Sequence, residues 1–166
     1  MRARGSVLVM ALAFVLAPAV THAASRPQVV RLVISNFRYC KQAPCSATDS
    51  AYLRSPDGGA LVENPSAAIT VRAGSIVQWV YRGDRDQAGC DSFNYGPASC
   101  PGHEVRFENG KPEGGKRVGF AMARQSVPQV ITFRVPKSSA GRTLRYFCNV
   151  NSHWMFGQTG ALKVTK

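Results

Sequence analysis

The amino-acid sequence predicts an all-β protein, an antiparallel β-sandwich of one domain. Short runs of β-branched and aromatic residues alternate with turns rich in glycine and proline, of which the chain has 15 and 10. No long segment repeats its apolar residues with the 3.6-residue period of a helix. The 166 residues are enough for one domain with a hydrophobic core, and the sequence shows no internal repeat.

About seven short strands follow one another along the chain, each bounded by turn residues. They are predicted at residues 28–37, 68–72, 75–82, 103–107, 128–135, 142–148 and 160–165. In the third strand, alternation places Val77, Trp79 and Tyr81 on one face, which is the better candidate for the core. Residues 39–65 are predicted to form a loop, and residues 119–123 either a strand or a short helical turn.

The N-terminus has the pattern of a secretory signal peptide. Arg2 and Arg4 precede a short apolar run, and the small residues that follow permit cleavage after Ala23. We therefore expect a signal peptide over residues 1–23 and a secreted or periplasmic domain over residues 24–166. A retained signal anchor is the alternative, although the mature chain has no other apolar segment long enough to span a bilayer.

The five cysteines of an exported chain leave one thiol over after pairing. Cys40 and Cys45 are near neighbours. Cys90 and Cys100 bracket a loop rich in Gly, Pro, Asn and Ser. Because exported thiols usually pair, we predict the bridges Cys40–Cys45 and Cys90–Cys100, although two other pairings of the four are open. Cys148 is then a lone thiol that binds a metal, forms an intermolecular disulfide, or is buried and inert.

Metal-binding side chains concentrate in one short segment near the C-terminus. It contains Cys148, His153, Met155 and Gln158. Beyond the signal sequence the chain has one other histidine, His103, at the start of a predicted strand. Two His and one Cys with a weak axial Met or Gln are the ligand set of a blue-copper site. These residues therefore predict one copper ion bound by His103, Cys148, His153 and an axial group, either Gln158 or Met155.

Three motifs, taken in this order, resemble those of the cupredoxins, the small blue-copper proteins. The Cys-x4-His-x4-Gln-x-Gly spacing over residues 148–160 is similar to the family's C-terminal ligand loop. Gly-Ser-Ile-Val-Gln-Trp at 74–79 is similar to the strand before the first His ligand, and His-Glu-Val-Arg-Phe at 103–107 resembles the stretch that carries it. The resemblance covers residues 28–166 and implies a Greek-key β-sandwich with one type 1 copper ion.

The sequence departs from the family pattern at three points. The gap between Trp79 and His103 is longer than usual, and Glu104 follows His103 where small or amide residues are common. The family's usual axial Met position is occupied by Gln158, as in the stellacyanin-like phytocyanins. A Gln carbonyl favours Cu(II) and should lower the reduction potential relative to a Met site. Met155 is the rival axial ligand.

The resemblance implies an exported one-electron carrier and no enzymatic activity. A copper scavenger or chaperone without electron transfer is the alternative. A multicopper enzyme would need several more histidines than the chain has. A metal-free cupredoxin-like recognition domain would have no need of the ligand set. Zinc could occupy a Cys/His site in vitro, so metal content alone does not establish the function. The net charge of +12 at pH 7 comes from scattered Lys and Arg without a stacking module, so we expect no nucleic-acid binding. We expect a monomer with an acidic redox partner.

Overall fold

The computed structural model describes residues 26–54, 61–82, 102–109, 115–121 and 129–166. The predicted signal peptide and the predicted Cys90–Cys100 bridge lie outside these ranges. Within them, we find no helix whose length and apolar character would let it cross a membrane.

Short strands make up most of the described chain. Their bounds are β1 (Val29–Ser35), β2 (Arg38–Cys40), β3 (Tyr52–Arg54), β4 (Leu61–Glu63), β5 (Ile69–Arg72), β6 (Ile76–Tyr81), β7 (His103–Phe107), β8 (Arg117–Ala121), β9 (Gln129–Arg134), β10 (Thr143–Phe147) and β11 (Thr159–Thr165). Short 3₁₀ segments join some of them, at Ala47–Asp49, Pro65–Ala67, Lys137–Ser139 and Val150–Phe156.

Two sheets form a sandwich, which confirms the predicted fold class. One sheet has the order β2-β1-β6-β9 and the other the order β5-β11-β10-β7-β8, and β3 and β4 form a separate two-stranded sheet. Most neighbouring strands are antiparallel, as expected, but β1 pairs with β6 and β11 pairs with β5 in parallel. Parallel neighbours need a long crossover connection, and both pairs join strands that are far apart in sequence.

The hydrophobic core lies between the two sheets. The predicted core face of β6 is confirmed, because Val77, Trp79 and Tyr81 are all fully buried. The Trp79 ring lies 5.1 Å from the ring of Tyr146 on the opposite sheet, in an edge-to-face arrangement of 72°. Such a pair adds about 0.5–1.5 kcal/mol beyond the burial of its area. Cys148 belongs to the same buried cluster, so the end of β10 delivers the thiol into the core.

The segment predicted as a loop over residues 39–65 contains β3, β4 and most of β2. The first strand ends at Ser35, and β2 pairs back onto it through a tight turn at Asn36 and Phe37. Both turn residues have a positive φ, 49° and 54°, the twist that two-residue hairpins favour. The undecided segment 119–123 contributes to a strand, since β8 runs to Ala121.

Candidate metal centre

His103, Cys148 and His153 meet in one buried cluster. Their ligand atoms all lie within 4.8 Å of one another, and no other group of this kind occurs among the described residues. Donor atoms bound about 2.0–2.3 Å from a common ion lie at most about 4.6 Å apart. Small side-chain adjustments therefore suffice to bring all three donors to one ion.

The loop after β10 is closed by its own backbone hydrogen bonds. The N–H of Cys148 donates to the carbonyl of Gln158 at 3.0 Å, and the N–H of Gln158 donates to the carbonyl of His153 at 3.1 Å. The chain reverses at Asn151 and Ser152, whose φ angles of 43° and 56° lie in the left-handed region. Because this region costs energy for residues other than glycine, the surrounding bonds must hold the reversal in place.

Two glycines allow the loop to pack closely against the sandwich. Gly157 has φ 88°, and a Cβ there would lie 2.6 Å from Ser50 Oγ. A Cβ on Gly160 would clash with the ring of Tyr146, the residue opposite it in the β10–β11 pairing. The final glycine of the Cys-x4-His-x4-Gln-x-Gly pattern thus makes room for a buried aromatic ring beneath the loop.

Gln158 lies beside the imidazoles, whereas Met155 does not share their burial. The Oε1 atom of Gln158 is 2.9 Å from Nδ1 of His103, and Nδ1 of His153 is 3.5 Å from Sγ of Cys148. Gln158 is fully buried, yet its Nε2 atom has no hydrogen-bond partner. Met155 is 45% exposed. Of the two axial candidates, the structure brings Gln158 to the cluster and leaves Met155 at the surface.

Burial sets the protonation of the three donors. It lowers the pKa of His103 to about 4, and together with the weaker repulsion from His103 it lowers the pKa of His153 to about 3. It also raises the pKa of the Cys148 thiol to about 12. At neutral pH both imidazoles are therefore neutral and able to donate a lone pair to a metal. The thiol is protonated and must release its proton when it binds one.

An aromatic wall that the sequence did not reveal covers the imidazoles. The Phe37 ring lies 4.5 Å from that of His153 and 5.7 Å from that of His103, and the Tyr81 ring lies 5.4 Å from that of His103. One residue in the sequence could have indicated this turn. Asn36 belongs to a residue type that tolerates the left-handed backbone conformation, and the turn at this position directs Phe37 towards the imidazoles. The sequence-based reading extended the first strand through both residues and so missed the turn.

The cysteines separate into a bridge and a free thiol. Cys40 and Cys45 form a disulfide with an S–S distance of 2.09 Å, and Cys148 is free and buried. The bridge lies next to the turn that carries Phe37, because Nδ2 of Asn36 donates to the carbonyl of Cys45 at 3.4 Å. The disulfide thus braces the β1–β2 hairpin, whose turn carries Phe37 of the aromatic wall.

Glu104, the residue that departs from the family pattern, is buried beside the cluster. Its backbone N–H donates to Sγ of Cys148 at 3.3 Å, and its carbonyl accepts a hydrogen bond from the hydroxyl of Tyr39. Its carboxylate pairs with Arg106 at 2.9 Å and with Arg117 at 3.8 Å. After burial, the negative charge of Glu104 is among the causes that raise the pKa of Cys148.

Comparisons with known proteins give similarities of structure only. No protein-family model matches the chain, and no curated protein matches it. Auracyanin B is similar with a TM-score of 0.43 and 14% identity, over 87% of this chain and 94% of that one. Rusticyanin from Thiobacillus ferrooxidans has a TM-score of 0.40 and 12% identity, over 84% and 79%. Reduced auracyanin from Roseiflexus castenholzii has a TM-score of 0.38 and 14% identity, over 86% and 100%. These similarities carry no functional conclusion for this chain.

Proposed function

We propose that this protein is an exported type 1 copper protein that carries single electrons. The observation that carries the proposal is the buried group of two imidazoles and one free thiol, His103, His153 and Cys148. Soft sulfur combined with imidazole nitrogen is the donor set that suits both Cu(I) and Cu(II). Copper bound there supplies a one-electron couple, and the chain supplies a site with little freedom to rearrange.

Gln158 is proposed as the axial ligand in preference to Met155. Its Oε1 atom already faces Nδ1 of His103, and the Nε2 atom of the same carboxamide has no partner. A carboxamide oxygen buried beside an imidazole donor is within reach of an ion that the imidazole would bind, which supports this side chain as a ligand. The 45% exposure of Met155 makes it a poorer candidate for a closed site.

The surroundings of the cluster support electron transfer over simple copper storage. The ligand loop is closed at its base by backbone bonds between Cys148, His153 and Gln158, and the Phe37 and Tyr81 rings pack against the imidazoles. A ligand set fixed from several sides keeps a similar geometry in both oxidation states. Met155 and Phe156, each 45% exposed, follow His153 in the loop and offer an apolar surface near it. The net charge of +12, or +10 without Arg2 and Arg4 of the predicted signal peptide, suits an acidic redox partner.

Export is supported by the cysteines and by the predicted signal peptide at residues 1–23. A disulfide such as Cys40–Cys45 persists in oxidising compartments and is rare in the cytosol. Cleavage can be checked by N-terminal sequencing of the protein recovered outside the cytoplasm. A chain that starts at Ala24 is expected. A chain retained in the membrane with residues 1–23 intact would support the signal-anchor alternative.

Redox cycling of the copper-loaded protein tests the carrier function. The Cu(II) protein is expected to show intense visible absorption from the thiolate–copper bond, to bleach on reduction and to recover fully on reoxidation. Val62→Thr, which changes a side chain on β4 that is 64% exposed, serves as the control and should cycle in the same way. A colourless protein that holds only Cu(I) would contradict the carrier function and favour copper scavenging or delivery.

A further inference from the structure

Glu104 is a buried carboxylate in an unusual position. Its side chain is only 4% exposed, and carboxylates are rarely buried to this extent unless they are paired. It is paired, with Arg106 at 2.9 Å and Arg117 at 3.8 Å. Because a buried ion pair is seldom more stabilising than apolar residues of the same size, stability alone is a weak explanation for it.

The backbone of Glu104 joins this charge to the proposed ligands. The residue directly follows His103, and its N–H donates to Sγ of Cys148 at 3.3 Å. A Glu side chain extends about 5 Å from its own backbone nitrogen, so its carboxylate lies less than about 10 Å from that sulfur. The separation is short enough for the charge to act on the site through the protein interior.

The ion pair is asymmetric with respect to solvent. The side chains of Arg106 and Arg117 are 25% and 58% exposed, against 4% for Glu104. Water and salt therefore screen the two cations more than the anion, and the negative end of the pair acts more strongly inside the protein. The carboxylate therefore contributes a negative potential to its buried surroundings, which the two more exposed cations offset only in part.

We propose that the buried carboxylate of Glu104 stabilises Cu(II) relative to Cu(I) and so lowers the reduction potential of the site. The inference rests on the proposed copper function and deepens it. One unit charge less than about 10 Å away, at an effective dielectric constant of about 20, changes the ratio of Cu(II) to Cu(I) affinity by about tenfold. For one electron a tenfold ratio is about 60 mV. The effect acts in the same direction as an axial Gln carbonyl.

The test compares Glu104→Gln with Glu63→Gln. The first variant keeps an oxygen acceptor for Arg106 and removes the buried charge. The second variant also removes a carboxylate that is paired with an arginine, Arg145. The side chain of Glu63, however, is 47% exposed. Competition titrations with Cu(II) and Cu(I) chelators at neutral pH give both affinities. Glu104→Gln should lower the Cu(II)-to-Cu(I) affinity ratio by about tenfold with an unchanged thiolate absorption band. Glu63→Gln should leave the ratio unchanged.

Equal affinity ratios for Glu104→Gln and Glu63→Gln would overturn the inference. A changed ratio accompanied by a displaced absorption band would also overturn it, because the residue would then act by shaping the site. Arg106→Gln provides a second test that does not require Glu104→Gln to fold. It removes the nearer cation and should raise the affinity ratio, and an unchanged or lowered ratio would count against the inference. The titrations do not require redox cycling, so a failure of the carrier function remains distinguishable from a failure of this proposal.

Discussion

The copper-free protein should lose stability on mild acidification because two imidazoles are buried without charge. The pKa values of His103 and His153, about 4 and about 3 in the folded protein, lie below the 6.5 of an unperturbed imidazole. Below pH 6.5 the unfolded chain therefore binds protons that the folded chain does not, and stability falls as the pH drops towards 4. Between pH 7.5 and 4.5, each imidazole accounts for about 2.5 kcal/mol, or about 5 kcal/mol together.

Denaturant unfolding of the copper-free protein at pH 7.5, 6.5, 5.5 and 4.5 measures this loss. A fall of about 5 kcal/mol is comparable to the whole stability of many small domains, so partial unfolding at pH 4.5 is expected. His103→Asn, which keeps a neutral polar side chain, should retain only about half of the pH dependence. A stability that stays constant from pH 7.5 to 4.5, or a variant with the full dependence, would refute the reasoning. Copper loading should move the loss to lower pH, because metal-bound imidazoles resist protonation.

Three substitutions test other parts of the site. Phe37→Ala removes the ring against both imidazoles and should cost about 3 kcal/mol in denaturant unfolding, whereas a cost below about 1 kcal/mol would exclude a packing role. Gly160→Ala forces a Cβ against the ring of Tyr146 and should lower stability by about 1–3 kcal/mol in the same assay; an unaffected protein would contradict the close packing. Gln158→Met should raise the reduction potential measured by voltammetry, since a thioether favours Cu(I) more than a carbonyl oxygen does. If Met155→Leu shifted the potential in the same way, Met155 would be the axial ligand.

Local patterns in the sequence predicted the parts of the fold that depend on neighbouring residues. Alternation along β6 identified the buried face of Val77, Trp79 and Tyr81, because adjacent residues in a strand point to opposite sides. The spacing of the C-terminal loop identified Cys148 and His153 as neighbours, since a short turn at the end of a strand returns the chain to the same place.

Features that depend on long-range packing were not predictable from those patterns. The parallel pairing of β1 with β6 joins segments more than forty residues apart, and no local signal encodes its direction. Phe37 reaches the imidazoles only because the β1–β2 turn folds over the site. Glu104 was noted as unusual beside His103, but one of its two arginine partners, Arg117, comes from β8, which pairs with β7. In each case the partner lies on a different strand or loop, and local patterns do not show where that element packs.

The visible and EPR spectra of the protein loaded with one equivalent of Cu(II) test the copper assignment most directly. A bond between copper and the thiolate of Cys148 predicts an intense visible absorption band and the narrow copper hyperfine splitting of a type 1 site. Cys148→Ser should abolish the band, and Cys40 and Cys45 should not supply a replacement because they are bridged. A Cu(II) protein without the band, or a Cys148→Ser variant with the same spectrum as the unmodified protein, would contradict the assignment.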